Sequence, residues 1–225
     1  MEFTILSLFP EYFQGPLSVS MLKRALEKGL LQINLVNIRD FSEGPHAQVD
    51  ERPFGGGPGM LMMAEPIVKA IRSQRKEKSR VIYFTPQGKP LTAKKCKELA
   101  KENHLIFLCG HYEGVDERAV ELEVDEEISI GDYVLTSGMP AALVAIDAIG
   151  RQVPGVVGHP EGVSQDSFEH EAIFEGPQYT RPRVFEGKEV PETLLEGHHV
   201  KIDAWRKEKG LNKAKRIRPE LAEKL

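Results

Sequence analysis

The chain is poor in cysteine. Cys96 and Cys109 stand alone and form neither a disulfide framework nor a metal pattern. They read as reduced thiols of a cytoplasmic protein. No apolar run approaches the ~20 residues of a membrane span, so no membrane partner is expected. Met1 to Pro10 lacks a basic start and a small-residue cleavage site, and reads as a first strand rather than a signal peptide. A phosphate-binding GxxxxGK[ST] is missing, and the glycine-rich Gly55 to Gly59 is followed by Met60 and Leu61 rather than lysine. No GxGxxG opens a helix, which leaves an ordinary dinucleotide domain unsupported. His198 and His199 are adjacent with no cysteine near them, so no metal site is expected. Positive charge is not in excess either. Thirty Lys and Arg face 34 Asp and Glu, for a net charge of −4 and a pI near 6.0. Global charge therefore does not point to nucleic acid, although a local patch still could.

What is present is a chain of 225 residues, 40% apolar, enough for one sizeable core and a small second domain. Strand patterns are read at Glu2 to Phe9, Gln32 to Ile38, Val81 to Phe84, Leu105 to Cys109 and Glu127 to Ile130. Helical patterns lie between them. One carries Val19, Leu22, Ala25 and Leu26 and can close at Gly29; another follows Glu65. Thr92 and Asp116 are placed to cap two more, and Ala141 to Ile149 suits a buried helix. Alternation of this kind predicts an α/β domain with a mostly parallel sheet.

After Gly155 the texture changes. Gly155 to Gln165 is rich in Gly, Pro, Ser and His and reads as a flexible linker. Helices are expected around Val200 to Lys209 and Pro219 to Leu225. Between Lys201 and Leu225 nine basic side chains outnumber four acidic ones, with Lys213, Lys215, Arg216 and Arg218 the densest group. Such a surface could bind phosphates or be a solvated helix pair.

Three expected strand ends have unusual chemistry: Tyr83 to Gly88, Cys109 to Asp116, and Ile130 to Gly138. Each combines glycine, which lets backbone approach a ligand closely, with aromatic or apolar residues that could cover a flat base. Ligands of open α/β sheets bind at such carboxyl edges.

At these residues the sequence resembles the bacterial tRNA (guanine-N1)-methyltransferase family of the knotted SPOUT superfamily. The resemblance is carried by Arg52-Pro53-Phe54-Gly55-Gly56-Gly57-Pro58-Gly59-Met60, by Gly110 to Arg118, and by Ile130-Gly131-Asp132-Tyr133-Val134-Leu135. Pro154-Gly155-Val156, Asp166-Ser167-Phe168, Tyr179-Thr180-Arg181-Pro182 and Gly197-His198-His199 extend it almost from end to end. Two places depart from the family pattern. Ser137 stands where glycine is usual and Met139 where glutamate is, and Gln165 precedes Asp166 where an acidic residue is common.

The resemblance implies a deep trefoil knot, an exception to the usual rule against knots. It implies a knotted domain over 1–155 that binds S-adenosylmethionine, a linker over 156–172 carrying the catalytic aspartate, and a small helical tRNA-binding domain over 173–225. It further implies a homodimer, with tRNA bearing guanosine at position 37 as the partner. For the methyl donor, the candidates are Tyr83, Pro86, Gly110, Tyr112, Glu113, Gly114, Ile130, Gly131, Tyr133, Leu135, Ser137 and Gly138. Glu113 could meet the donor's ammonium or a magnesium ion (Mg2+), or be an ordinary loop glutamate.

Guanine N1 carries a proton that a base must remove, and charge then develops on O6. A carboxylate and an arginine meet these needs. By resemblance Asp166 is the general base and Arg151 stabilises O6. From the residues alone, Asp166 reads equally as a cap or linker charge, and Arg151 as a cation complementing a helix C-terminus. Arg181 and His198 could contact RNA or make internal hydrogen bonds, and Trp205 reads as core. Two other readings remain open at this point: a related methyltransferase acting on ribosomal RNA, and a non-catalytic RNA-binding module of the same fold.

Overall fold

A computed structural model describes residues 1–43, 45–158, 166–168 and 174–222. The chain divides into two compact units, Met1–Gly158 and His159–Leu225.

The first unit is built on β1 (Glu2–Ser7), β2 (Gln32–Asn37), β3 (Ser79–Pro90), β4 (His104–Cys109) and β5 (Glu126–Ser129). All pair in parallel, in the order β2-β1-β4-β3-β5. β4 lies at the centre, and all six of its residues are buried. That explains its unbroken apolar run, because a parallel sheet is covered on both faces. Successive residues point to opposite cores. Leu105 and Phe107 join Phe3, Ile5, Ile82 and Phe84 in one, while Ile106 and Leu108 join Leu6 and Val81 in the other.

Among the described residues five longer helices cover the sheet, and a one-turn helix, Gln14–Leu17, adds Leu17 to the first core. On the first face lie α1 (Ser20–Glu27), α3 (Ala93–Leu99) and α5 (Met139–Gly150), through Ala25, Leu99, Ala142 and Ile146. On the second lie α2 (Ala64–Gln74) and α4 (Glu117–Glu123), through Ile67, Ile71 and Val120. The expected caps form: Thr92 Oγ1 accepts from the Lys95 N–H at 3.2 Å, and Asp116 Oδ1 from the Arg118 N–H at 3.0 Å.

The first expected strand end is corrected by the structure. Tyr83 to Gly88 does not follow a strand; it lies inside β3, which runs on to Pro90. Ile128 of β5 faces both Phe84 and Lys89, so the residues between them are extruded as a bulge. Gly88 permits this, since a Cβ there would stand 2.5 Å from the Ile128 amide nitrogen.

In the second unit, α6 (His199–Ile217) is preceded by a small antiparallel ribbon, Val184–Phe185 with Lys188–Glu189. The expected helix end at Lys209 is also corrected. α6 continues through Gly210, which is buried rather than terminal. A shorter helix, Pro219–Ala222, follows. Gln165 and most of the expected linker lie outside the described residues.

Candidate functional site

Adjacency in the sheet sets the site. β4, β3 and β5 are neighbours, so the chain leaving β4, the bulge in β3 and the chain leaving β5 meet at one carboxyl edge. They enclose a cavity of about 260 Å³. All twelve expected donor-site residues line it: Tyr83, Pro86, Gly110, Tyr112, Glu113, Gly114, Ile130, Gly131, Tyr133, Leu135, Ser137 and Gly138. The reading from sequence missed Thr85, Gln87, His111, Glu117, Glu127 and Thr136, which also line it. Thr85, Gln87, His111 and Thr136 lie within the three flagged segments and could have been included. Glu117 lies just past the second segment, within the motif from Gly110 to Arg118, and could have been included; Glu127 lies outside all three and gave no local signal, because strand pairing brings it opposite Tyr83.

Two of the glycine-rich segments touch through backbone. The Gly138 N–H donates to the Gly110 carbonyl at 2.8 Å. A Cβ on Gly138 would come 3.0 Å from the Cys109 Cα, and one on Gly110 would come 3.1 Å from the Tyr83 ring. Side chains at these positions would fill the cradle. The third segment is tightened by its own polar groups. Ser129 Oγ donates to the Gly131 carbonyl at 3.0 Å, and the Tyr133 hydroxyl donates to the Ile130 carbonyl at 3.2 Å. Ser137, the unusual residue of this segment, accepts from the Met139 N–H at 3.4 Å, at the start of α5.

The glycine-rich loop of the N-terminal half reaches the same place. The Glu113 N–H donates to the Met60 carbonyl at 3.0 Å, and the Met62 N–H to the Gly114 carbonyl at 3.0 Å. Gly59 has φ of 80°, and a Cβ on it would run into the Glu113 side chain. Glycine at 59 therefore lets this loop lie against the cavity wall.

The electrostatics are one-sided. Among the described residues, the carboxylates lining the cavity are Glu113, Glu117 and Glu127, and no lysine or arginine lines it. Burial, then Glu127, then Glu117 push the Tyr83 phenol up to about 12, against a backbone hydrogen bond with Val115 that lowers it. Burial also pushes the Cys109 and Cys96 thiols up, which removes them as thiolate nucleophiles. An acidic, glycine-walled cavity disfavours a polyphosphate. It suits a ligand carrying positive charge and a flat apolar portion, and S-adenosylmethionine, with its sulfonium, ammonium and adenine, fits that description.

Neither expected catalytic residue is among those that line this cavity. Arg151 is the half-buried C-cap of α5 in the first unit, its N–H donating to the Asp147 carbonyl at 3.0 Å. Asp166 belongs to the second unit and is half-buried. Its neighbour Ser167 accepts from the Glu175 N–H at 3.2 Å. Arg181 is exposed near the ribbon, His198 precedes α6, and Trp205 is half-buried on α6 rather than core.

The chain matches the family model described as tRNA (Guanine-1)-methyltransferase TrmD over residues 1–224. It is 60% identical over 221 residues to a tRNA (guanine-N(1)-)-methyltransferase of Chlamydia caviae, covering 98% of this chain and 62% of that one. A relative of the same name from Chlamydia pneumoniae is 60% identical, with 61% of its length covered. Another, from Protochlamydia amoebophila, is 56% identical over 217 residues, covering 96% of this chain and 97% of that one. The chain thus spans about 62% of the length of the Chlamydia caviae relative.

Proposed function

The chain belongs to the tRNA (guanine-1)-methyltransferase family, and on that premise we propose that it methylates N1 of guanosine at tRNA position 37, using S-adenosylmethionine. The observation that carries the reading is the cavity formed by the three glycine-rich segments, whose lining charges are all carboxylates. Bound there, the donor supplies an electrophilic methyl group. The chain's own residues do the rest. Gly110, Gly131 and Gly138 leave room for the donor, and Tyr83, Tyr133 and Leu135 offer surface to its adenine. Glu113 is our candidate partner for its ammonium or for a magnesium ion.

Asp166 takes the N1 proton of guanine, and the Arg151 guanidinium stabilises the charge that develops on O6. Arg151 has a second role compatible with this one, since a cation at the C-terminus of α5 complements that helix dipole. A carboxylate on a linker that closes over the base would also exclude water. We assign donor binding to residues 1–155, the linker to 156–172 and tRNA binding to 173–225. We take the trefoil knot from the family resemblance; the hydrogen bond from the Gly138 N–H to the Gly110 carbonyl is compatible with it, since a knot needs these segments together. Among the described residues no helix is long and apolar enough to cross a membrane, and we place the enzyme in the cytoplasm as a homodimer.

The test is incubation with unmodified tRNA and labelled donor, followed by nuclease mapping of the product. Methylation at N1 of guanosine 37, abolished when adenosine replaces that guanosine, is the expected result. Transfer to ribosomal RNA instead, or RNA binding without transfer, would overturn it. Chelation should slow transfer if magnesium takes part, and Glu113→Gln should weaken that dependence if Glu113 meets the ion.

A further inference from the structure

The second unit has a concavity of its own, of about 360 Å³, walled by the segment from Pro177 to Arg181 with Arg183, by Val190, Leu194 and Leu195, and by Ile202 and Arg206 of α6. That volume falls in the range of small-ligand sites, about 300–1,000 Å³. Two glycines build it. A Cβ on Gly176 would stand 2.7 Å from the Arg206 Cα, and one on Gly210 would overlap the Phe174 carbonyl oxygen. Packing this close holds the segment after Phe174 against α6. Arg181 and Arg183 thereby share one cleft with Arg206.

Among the described residues no carboxylate lines this cleft. Arg181 and Arg183 have no ion-pair partner among the described residues, and Arg206 has one long contact, 3.9 Å to Asp203. Three like charges around a small cleft repel one another unless an anion enters. Guanidinium groups suit phosphate because their planar forks give paired hydrogen bonds. The rest of the lining is different in kind. Leu194 and Ile202 form an apolar floor, and the half-exposed Tyr179 ring stands at the wall, 6.3 Å from the Trp205 ring. Phosphate-binding groups beside an apolar, aromatic surface match a nucleotide better than a bare anion.

We propose that this cleft takes one nucleotide of the bound RNA, its phosphate on Arg181, Arg183 and Arg206 and its base against Tyr179 and the apolar floor. The inference rests on the tRNA reading above. It puts a gripping point outside the lysine-rich end of α6.

The test is filter binding of unmodified tRNA by the full chain at several salt concentrations. The R181Q/R183Q/R206Q variant should bind at least about tenfold more weakly, with a salt slope smaller by about one unit, the counterion release of a single phosphate. Its affinity for S-adenosylmethionine and its melting temperature should be unchanged. Replacing all three arginines by lysine should retain the slope, which a purely structural role would not require. Tyr179→Ala should weaken binding about tenfold with the slope kept, and Tyr179→Phe should restore it. Unchanged tRNA affinity and slope in the glutamine variant would overturn the proposal. Calorimetry with AMP forms a second arm. AMP binding that the glutamine variant loses, with tRNA affinity intact, would assign the cleft to a free nucleotide and overturn the RNA claim. If the unaltered chain methylates tRNA while these outcomes fail, the cleft assignment falls and the enzyme reading stands. If it neither binds nor methylates tRNA, both fall.

Discussion

Tyr83 shows how much one residue's environment can set. Its phenol is held neutral far into alkaline pH by burial, Glu127 and Glu117. A neutral phenol remains a hydrogen-bond donor, and it adds no further negative charge to an acidic cavity. The sign of the linkage follows. An unfolded tyrosine ionises near about 10, whereas this one ionises at about 12. Its contribution to stability is therefore complete below about pH 10 and is lost as pH rises from there to about 12. Denaturation across that window should show a steeper alkaline loss in the unaltered protein than in Tyr83→Phe, and identical slopes would count against the shift. Asp166 supports a sharper prediction. If it removes the N1 proton, Asp166→Asn should lower the single-turnover rate by on the order of 10²–10⁴ while donor binding persists. Arg151→Ala should also be slow with donor binding kept, because O6 stabilisation is removed. A near-normal rate in Asp166→Asn would falsify the proposed base.

At the scale of elements, α6 sets propensity against packing. Glycine inside a helix is ordinarily less stable than alanine by roughly 0.5–1 kcal/mol. Gly210→Ala should therefore stabilise a free helix. In this fold the added methyl would meet the Phe174 carbonyl, and overpacking of that kind costs about 1–3 kcal/mol. Chemical denaturation should show net destabilisation; a more stable variant would mean that the 174–178 segment yields easily. The same residue marks where sequence reading stopped. The expected helix stopped at Lys209, just before Gly210, because close backbone contact with a distant segment leaves no local trace. Likewise, the bulge after Phe84 needs β5 beside it, and the pattern around Thr85-Pro86-Gln87 resembles an ordinary turn. By contrast, the apolar run of β4 and the caps at Thr92 and Asp116 were legible, since each depends on neighbours a few positions away. The three short segments that line the cavity stood out by their clustered glycine and aromatic residues, and the resemblance picked out the twelve candidates within them. Their meeting in one place came from the strand order, which periodicity does not encode.

For the whole molecule, the cavity raises the question of what covers its mouth. Tyr112, Tyr133, Val134 and Leu135 all line it, and all are exposed. Single exposed apolar side chains are normal on a protein surface, but a group of them around a cavity marks an interaction site. A second copy of the chain is the occupant we favour, because closed two-fold pairing is the commonest way for a protein to cover such a face. Light scattering at micromolar concentration should then report about twice the 25.2 kDa chain mass. Val134 is the natural probe, being 83% exposed in the single chain and so free of any role in its core. Val134→Lys would bury a charge in the contact without disturbing the fold, and should reduce the mass to that of one chain. It should also weaken S-adenosylmethionine binding, since the cavity would lose its cover. Leu122 provides the control. It is 63% exposed on α4 and does not line the cavity, so Leu122→Lys should leave both mass and donor affinity unchanged. A monomeric Val134→Lys protein with full donor affinity and activity would show that the cavity is complete within one chain, and would sink the dimer proposal.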